Sequence, residues 1–349
     1  MRGGFKTCAN EERGEQLRVL SSARGESNHQ LSDEGVGALV QMSPLRERLR
    51  RFASSWTPPL RAELIRYVRS RRIQPLNRKG GPTPHYVLLP VWLLRRYRPK
   101  QSSTDRLFLN DVLWGQFCVY LAFRIQDDLI DRGFDHGLQV LAADLLLLES
   151  VRTFSLHFPG NSRFWGLYFE SLESTVQGAA RVDSLQRSRQ GSVGTLLREY
   201  ARVCAIFTIG ASAVCIWYSR MRDLDQARHF WNEMAIAGQL LDDFEDLEED
   251  WRRGRFNSVA KIMLGKRLSP LAQKGLALTA VKKALMAGGF DRIAEMVLQR
   301  IDRAEAALKP IRGEAPYPGF RDYRKNIDQI RRTMHRESVR SFFSRFHGT

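Results

Sequence analysis

Two stretches decide how this chain is read: Gln126-Asp127-Asp128-Leu129-Ile130-Asp131 and Gln239-Leu240-Leu241-Asp242-Asp243-Phe244-Glu245-Asp246-Leu247-Glu248-Glu249-Asp250. Each contains Asp-Asp-x-x-Asp, and each ends a long segment whose apolar residues recur at three- and four-residue spacing. On a helix, residues four apart share a face. Asp127 and Asp131 therefore point the same way, with Asp128 about 100° around. By the same spacing Asp242, Asp246 and Asp250 form a longer ridge, with Asp243 beside it. Carboxylates so placed repel one another, and the dipole at a helix C-terminus also disfavours them. A divalent cation removes the conflict. Mg²⁺ takes oxygen ligands, keeps several waters, and binds through one or two carboxylates plus substrate phosphates. Either stretch alone is equally well read as a solvated helix end offsetting nearby arginines. Two of them, each after a long apolar helix, favour the metal.

The background to these acids is basic. The 349 residues include 55 Lys+Arg against 38 Asp+Glu, a formal net charge of +17, and the excess is mostly arginine. That points to an anionic partner: nucleic acid, a membrane surface or a phosphorylated small molecule. Arginine's planar fork suits phosphate. A hydrophobic share of 43% excludes a disordered chain. The four cysteines, Cys8, Cys118, Cys204 and Cys215, show no Cys-x-x-Cys spacing, which argues against zinc and a disulfide scaffold and fits a reducing compartment. The N-terminus lacks a secretory h-region, so the expectation is cytoplasmic, with membrane association left open. The longest uncharged run, Val203 to Ser219, is slightly short for a span and is expected to be a buried core helix.

Residues 1–42 are polar and mixed in charge and are predicted to be a flexible, disordered leader. Ser43-Pro44 then supplies an N-cap and an N1 proline for the first helix. Gly and Pro punctuation from Pro58-Pro59 to Gly319 separates helical segments, including Leu107–Phe123 and Leu196–Cys215, and no convincing strand alternation intervenes. Residues 43–349 are predicted to be one all-α domain of about ten or more helices around a central active-site cavity.

With these residues in place, the sequence resembles the class I isoprenoid synthases: trans-prenyltransferases, terpene synthases and squalene/phytoene synthases. Asp127-Asp128-Leu129-Ile130-Asp131 is similar to the first aspartate-rich motif of the prenyltransferases, and Gln239 to Asp246 to their second. Asp246-Leu247-Glu248-Glu249-Asp250-Trp251-Arg252-Arg253-Gly254-Arg255 also resembles the second motif of squalene/phytoene synthases. The resemblance implies three Mg²⁺ ions with substrate bound, held by Asp127, Asp128, Asp131, Asp242, Asp243, Asp246 and Asp250. It implies that Asp127, Asp128, Asp131, Asp242 and Asp246 are catalytic. It places Gln239, Arg198, Arg202, Arg253 and Arg255 at a diphosphate, and Phe123, Tyr120 and Gln116 along an apolar pocket below the metals. Phe123, one turn before the first motif, suggests a shorter substrate or product. Arg321, Tyr323, Arg324 and Lys325 are expected to close over the substrate.

The chain also departs from the family. The Gly-Gly-Lys-Arg stretch that binds isopentenyl diphosphate has its nearest match in Arg78-Lys79-Gly80-Gly81-Pro82, and the Arg pair after the first motif is reduced to Arg132. The expected activity is therefore ionisation of an allylic prenyl diphosphate, by a terpene synthase or a prenyltransferase, with head-to-head condensation as an alternative. From another class, a non-catalytic basic helical protein on nucleic acid or anionic membrane is the competing reading. The arginines are scattered and no nucleic-acid motif is present, so nucleic acid is not expected. Arg61, Arg66, Arg69, Arg71 and Arg72, with Trp56 and Tyr67, read as a basic helix suited to a lipid surface. A homodimer is left open.

Overall fold

Between its Gly and Pro breaks, the chain folds as a succession of helices. The computed structural model describes residues 43–71, 73, 85–132, 137–188, 192–265, 277–312 and 318–346, all within a compact unit running from Gln41 to Thr349. Helices α1 (Ser43–Ser54), α2 (Pro58–Ser70) and α3 (His85–Tyr97) lead to the long α4 (Ser103–Arg132). Then come α5 (Gly137–Ser155), α6 (Arg163–Arg187) and α7 (Val193–Val203). A 3₁₀ segment, Cys204–Thr208, separates α7 from α8 (Ile209–Trp217). The second long helix, α9 (Met221–Glu245), is followed by the short α10 (Leu247–Arg252) and α11 (Ser258–Leu264). Helices α12 (Ala277–Ala284), α13 (Phe290–Arg312) and α14 (Pro318–Phe346) complete the order. The chain turns between α12 and α13 at Gly288, whose φ of +94° only glycine adopts without strain. The leader, residues 1–42, lies outside the described residues, as does the Arg78 to Pro82 stretch.

Amphipathicity decides which helices are central. Val112 to Val119 of α4 is buried all round, as is Ile209 to Cys215 of α8, because both stretches are apolar on every face. Helix α4 packs chiefly on α5, α9 on α13, and α6 on α7, while α8 is enclosed by α3, α4, α6 and α9. The run Val193–Trp217 is long and apolar enough to cross a membrane by composition, yet over half of its apolar window is buried by these neighbours. The expected core helix is thus in place. It is not continuous, however.

The break at Cys204–Thr208 has a tertiary cause. Gln116 of α4, wholly buried, donates from Nε2 to the carbonyl of Ile206 at 3.0 Å and accepts at Oε1 from the Gly210 N–H at 2.7 Å. One side-chain amide thus bridges the 3₁₀ segment to the start of α8, pairing the Gly210 N–H and adding a second donor to the Ile206 carbonyl, which also accepts from the Ile209 N–H. From the other side, α6 approaches so closely that a Cβ on Gly178 would stand 2.9 Å from the Val203 backbone nitrogen. This corrects the expected pocket-lining role of Gln116: its amide is fully engaged in shaping the helix.

Candidate active site

Both acidic motifs close the two long helices, as their spacing predicted. In the first, the adjacent aspartates diverge. Asp127 is exposed and lies 3.3 Å from Arg124, one turn back on α4. Asp128 is 8% exposed and turns onto α2, where its carboxylate accepts from the Tyr67 hydroxyl at 2.7 Å and pairs with Arg71 at 2.8 Å and Arg124 at 3.7 Å. Burial and the bond to Asp128 together push the Tyr67 hydroxyl pKa well up, so it stays a donor. Asp128, expected among the metal ligands, is thus anchored by Tyr67, Arg71 and Arg124. Tyr67 and Arg71 likewise leave the basic outer face assigned to them, while Arg61, Arg66 and Arg69 remain exposed. Asp131 closes α4, but its side chain lies outside the described residues.

The second motif repeats the pattern. Asp242 is exposed, whereas Asp243 is 2% exposed. Asp243 accepts from the Tyr200 hydroxyl of α7 at 2.6 Å, from Gln239 Nε2 at 3.0 Å and from the Ser258 N–H at 2.8 Å. Burial raises its pKa against these stabilising bonds. Helix α9 ends at Glu245, and Asp246 forms the junction to α10. The i→i−4 bonds persist across it, Asp246 N–H to Asp242 O at 2.8 Å and Asp250 N–H to Asp246 O at 2.9 Å, so the predicted ridge survives the change of helix. Asp250 is half-buried and accepts from Asn257 Nδ2 at 2.8 Å. Burial, with Asp243 and Asp246 close by, pushes its pKa up to about 6. Asn257 also donates to the Asp243 carbonyl at 2.7 Å and caps α11, tying the end of the ridge to the core.

Cys204 lies within electrostatic reach of both motifs. This thiol opens the 3₁₀ segment, and its pKa is pushed up to about 12, first by burial and then by the negative charges of Asp242 and Asp127. One sulfur therefore feels a carboxylate from each motif. Helix α4 also contributes to an aromatic wall. Tyr120, about two turns before Asp127, stacks on Tyr86 at 4.8 Å between ring centroids, and Tyr86 stacks on Phe207 at 5.6 Å. Phe207 in turn stacks on Trp231 at 5.0 Å. Phe123 is half-buried one turn before Asp127.

Several expected substrate contacts are occupied by protein. Gln239 is spent on Asp243. Arg202 donates to Glu199 at 3.2 Å and to Gln177 of α6 at 3.2 Å. Arg198 is exposed and bonds Thr195 at 3.1 Å. Arg253 pairs with Glu249 at 2.7 Å, and Arg255, largely buried, lies 3.6 Å from Asp183 of α6. Arg324 is held by Asp302 at 2.7 Å and Glu305 at 2.8 Å on α13 instead of reaching over a substrate. Conversely, Arg124 and Cys204 stand at the motifs without having been singled out. Arg124 was findable, being three residues before Asp127; Cys204 carries no sequence signal of its own.

For a metal, the exposed carboxylates Asp127, Asp242 and Asp246 are hard oxygen ligands of the kind suited to Mg²⁺. Among the described residues no group of three His, Cys, Asp or Glu forms a ready cage. An ion sharing its shell with substrate phosphates and water needs only one or two carboxylates. The donor set therefore fits.

The order and packing of these helices is the fold found in prenyl diphosphate synthases. The structure superimposes on a geranylgeranyl pyrophosphate synthase from Lactobacillus brevis with TM-score 0.64 and 15% identity, covering 88% of this chain and 99% of that one. It also matches a decaprenyl diphosphate synthase from Rhodobacter capsulatus (TM-score 0.61, 15% identity, 90% and 97% covered). A geranylgeranyl pyrophosphate synthase from Corynebacterium glutamicum gives TM-score 0.60 and 18% identity, with 88% and 96% covered. At such identities the likeness establishes the fold. No protein-family model and no curated protein matches the sequence.

Proposed function

We propose that the chain is a Mg²⁺-dependent enzyme that ionises an allylic prenyl diphosphate and, within that class, a prenyltransferase. The observation that carries this reading is that an Asp-Asp-x-x-Asp motif closes each of the two long helices, α4 and α9, and the charges of Asp127 and Asp242 both acting on the Cys204 thiol support a shared site. The fold it shares with decaprenyl and geranylgeranyl diphosphate synthases supports the transferase over a cyclase. Bound Mg²⁺ would neutralise the diphosphate as it leaves. The chain's own part is to present Asp127, Asp242 and Asp246 outward while Asp128 and Asp243 are tied inward. The aromatic wall excludes water and offers π faces to an allylic cation.

The test is a screen of geranyl, farnesyl and geranylgeranyl diphosphate with Mg²⁺, with and without isopentenyl diphosphate, measuring diphosphate release and extracted products. Longer diphosphates formed only with isopentenyl diphosphate are expected. Asp127→Ala and Asp242→Ala are each expected to lower kcat/KM by roughly 10²–10³-fold, the scale of losing one electrostatic stabiliser of a leaving group. Turnover unchanged in both variants would remove the metal assignment.

A further inference from the structure

In both motifs the second aspartate is gripped in the same way. A tyrosine hydroxyl from a neighbouring helix reaches each: Tyr67 of α2 to Asp128 at 2.7 Å, and Tyr200 of α7 to Asp243 at 2.6 Å. Both rings are buried, at 4% and 3% exposure. Each grip is reinforced. Arg71, at the end of α2, pairs with Asp128 at 2.8 Å, and the Tyr67 hydroxyl also lies 2.9 Å from the Arg124 carbonyl of α4. On the other side Gln186 of α6 donates to the Tyr200 hydroxyl at 3.2 Å.

We propose that Tyr67 with Arg71, and Tyr200, are positioning residues that set the rotation of the α4 and α9 ends, so that Asp127 and Asp242 face the shared site. This rests on the Mg²⁺-diphosphate reading above. The geometry supplies the reason. Adjacent helical residues lie about 100° apart, so fixing one carboxylate of an Asp-Asp pair against a buried partner fixes the direction of the other. Helix ends fray, and like charges one residue apart would otherwise favour rotating either one outward. A buried hydroxyl–carboxylate bond removes that freedom, because leaving either group unpaired in the core is costly. Asp128 and Asp243 are thus held back from solvent, and the outward positions fall to Asp127 and Asp242.

Groups that orient metal ligands change metal affinity by about 10–100-fold when removed. The test is binding of inorganic diphosphate by calorimetry while Mg²⁺ is titrated, using the full chain, with helical circular dichroism and Tm recorded for each variant. Tyr67→Phe and Tyr200→Phe keep the ring and lose only the hydroxyl. Each is expected to raise the half-saturating Mg²⁺ on the order of tenfold with helical content unchanged. Arg71→Gln gives an independent measure on the first motif and is expected to shift it in the same direction. If the variants lower Tm but leave the Mg²⁺ half-saturation at the wild-type value, the tyrosines are merely structural and the proposal is overturned. If the wild-type chain shows no Mg²⁺-dependent diphosphate binding at all, the functional reading fails and this inference falls with it. Wild-type binding that is lost in Asp127→Asn yet unaffected in the tyrosine variants overturns this inference alone.

Discussion

The thiol of Cys204 carries the electrostatic influence of both acidic motifs. Burial raises its pKa first, and the charges of Asp242 and Asp127 raise it further, because a thiolate there would be one more anion among anions. Removing those charges lowers the pKa and increases the thiolate fraction, which is the species that alkylates. The Asp127→Asn, Asp242→Asn double variant is therefore expected to react with iodoacetamide at Cys204 several-fold faster than wild type at pH 8, followed by peptide mass spectrometry. An unchanged rate would mean that the carboxylates do not share this site. At this scale, spacing made the acids visible but did not say which of two neighbours turns inward. Asp128 and Asp243 are decided by Tyr67 and Tyr200, whose contacts lie far off in sequence. Arg71 had been read from its neighbours as part of a basic outer face, and only packing shows that it turns to Asp128.

Among the elements, the broken helix α7–α8 is the most consequential. Its residues from Leu196 to Cys215 carry one unbroken apolar periodicity, so sequence reading gives one helix. The break is imposed by Gln116, from a different helix. Gln116→Met keeps the volume but leaves the Gly210 N–H buried without its partner, while the Ile206 carbonyl keeps the Ile209 N–H. At roughly 1–3 kcal/mol for an unsatisfied group, this variant is expected to lose about 1–3 kcal/mol in urea unfolding. A loss below about 0.5 kcal/mol would show that the break does not depend on the amide. The aromatic wall is the second consequence of element placement. Tyr120 stacks on Tyr86, and Phe207, on the 3₁₀ segment, continues the stack to Trp231. If this wall limits the depth available to a growing chain, Tyr120→Ala is expected to shift the main product to a longer diphosphate, read by chromatography of the extracted alcohols. Identical product lengths would place the chain elsewhere. Phe123 was legible one turn before the motif, but Phe207 and Trp231 join the wall only through folding.

For the whole molecule, the fold was the most legible level. Helical periodicity without strand alternation, ended twice by the same acidic pattern, predicts an all-α bundle, and that is what forms. The charge of +17 was the least informative feature, since most arginines whose contacts are described pair with nearby acids, as Arg202, Arg253 and Arg324 do. The exposed carboxylates Asp127 and Asp242 lie at the ends of α4 and α9. That makes a prediction about global stability. Like charges held together destabilise the folded state, and a ligand that bridges them binds the folded chain only. Mg²⁺ with inorganic diphosphate at about 100 times its Kd is expected to add ~2.7 kcal/mol to unfolding. In a chain of this size that raises Tm by roughly 5 °C. Mg²⁺ alone is expected to do much less, because one or two carboxylates without the phosphates complete too little of its shell. The bridge needs an end on each helix, so either Asp127→Asn or Asp242→Asn is expected to abolish most of the shift. Differential scanning calorimetry of the three proteins, each with Mg²⁺, diphosphate and both, decides it. A shift retained in one single variant would mean that the ligand is held by one helix end and that α4 and α9 are not joined through it.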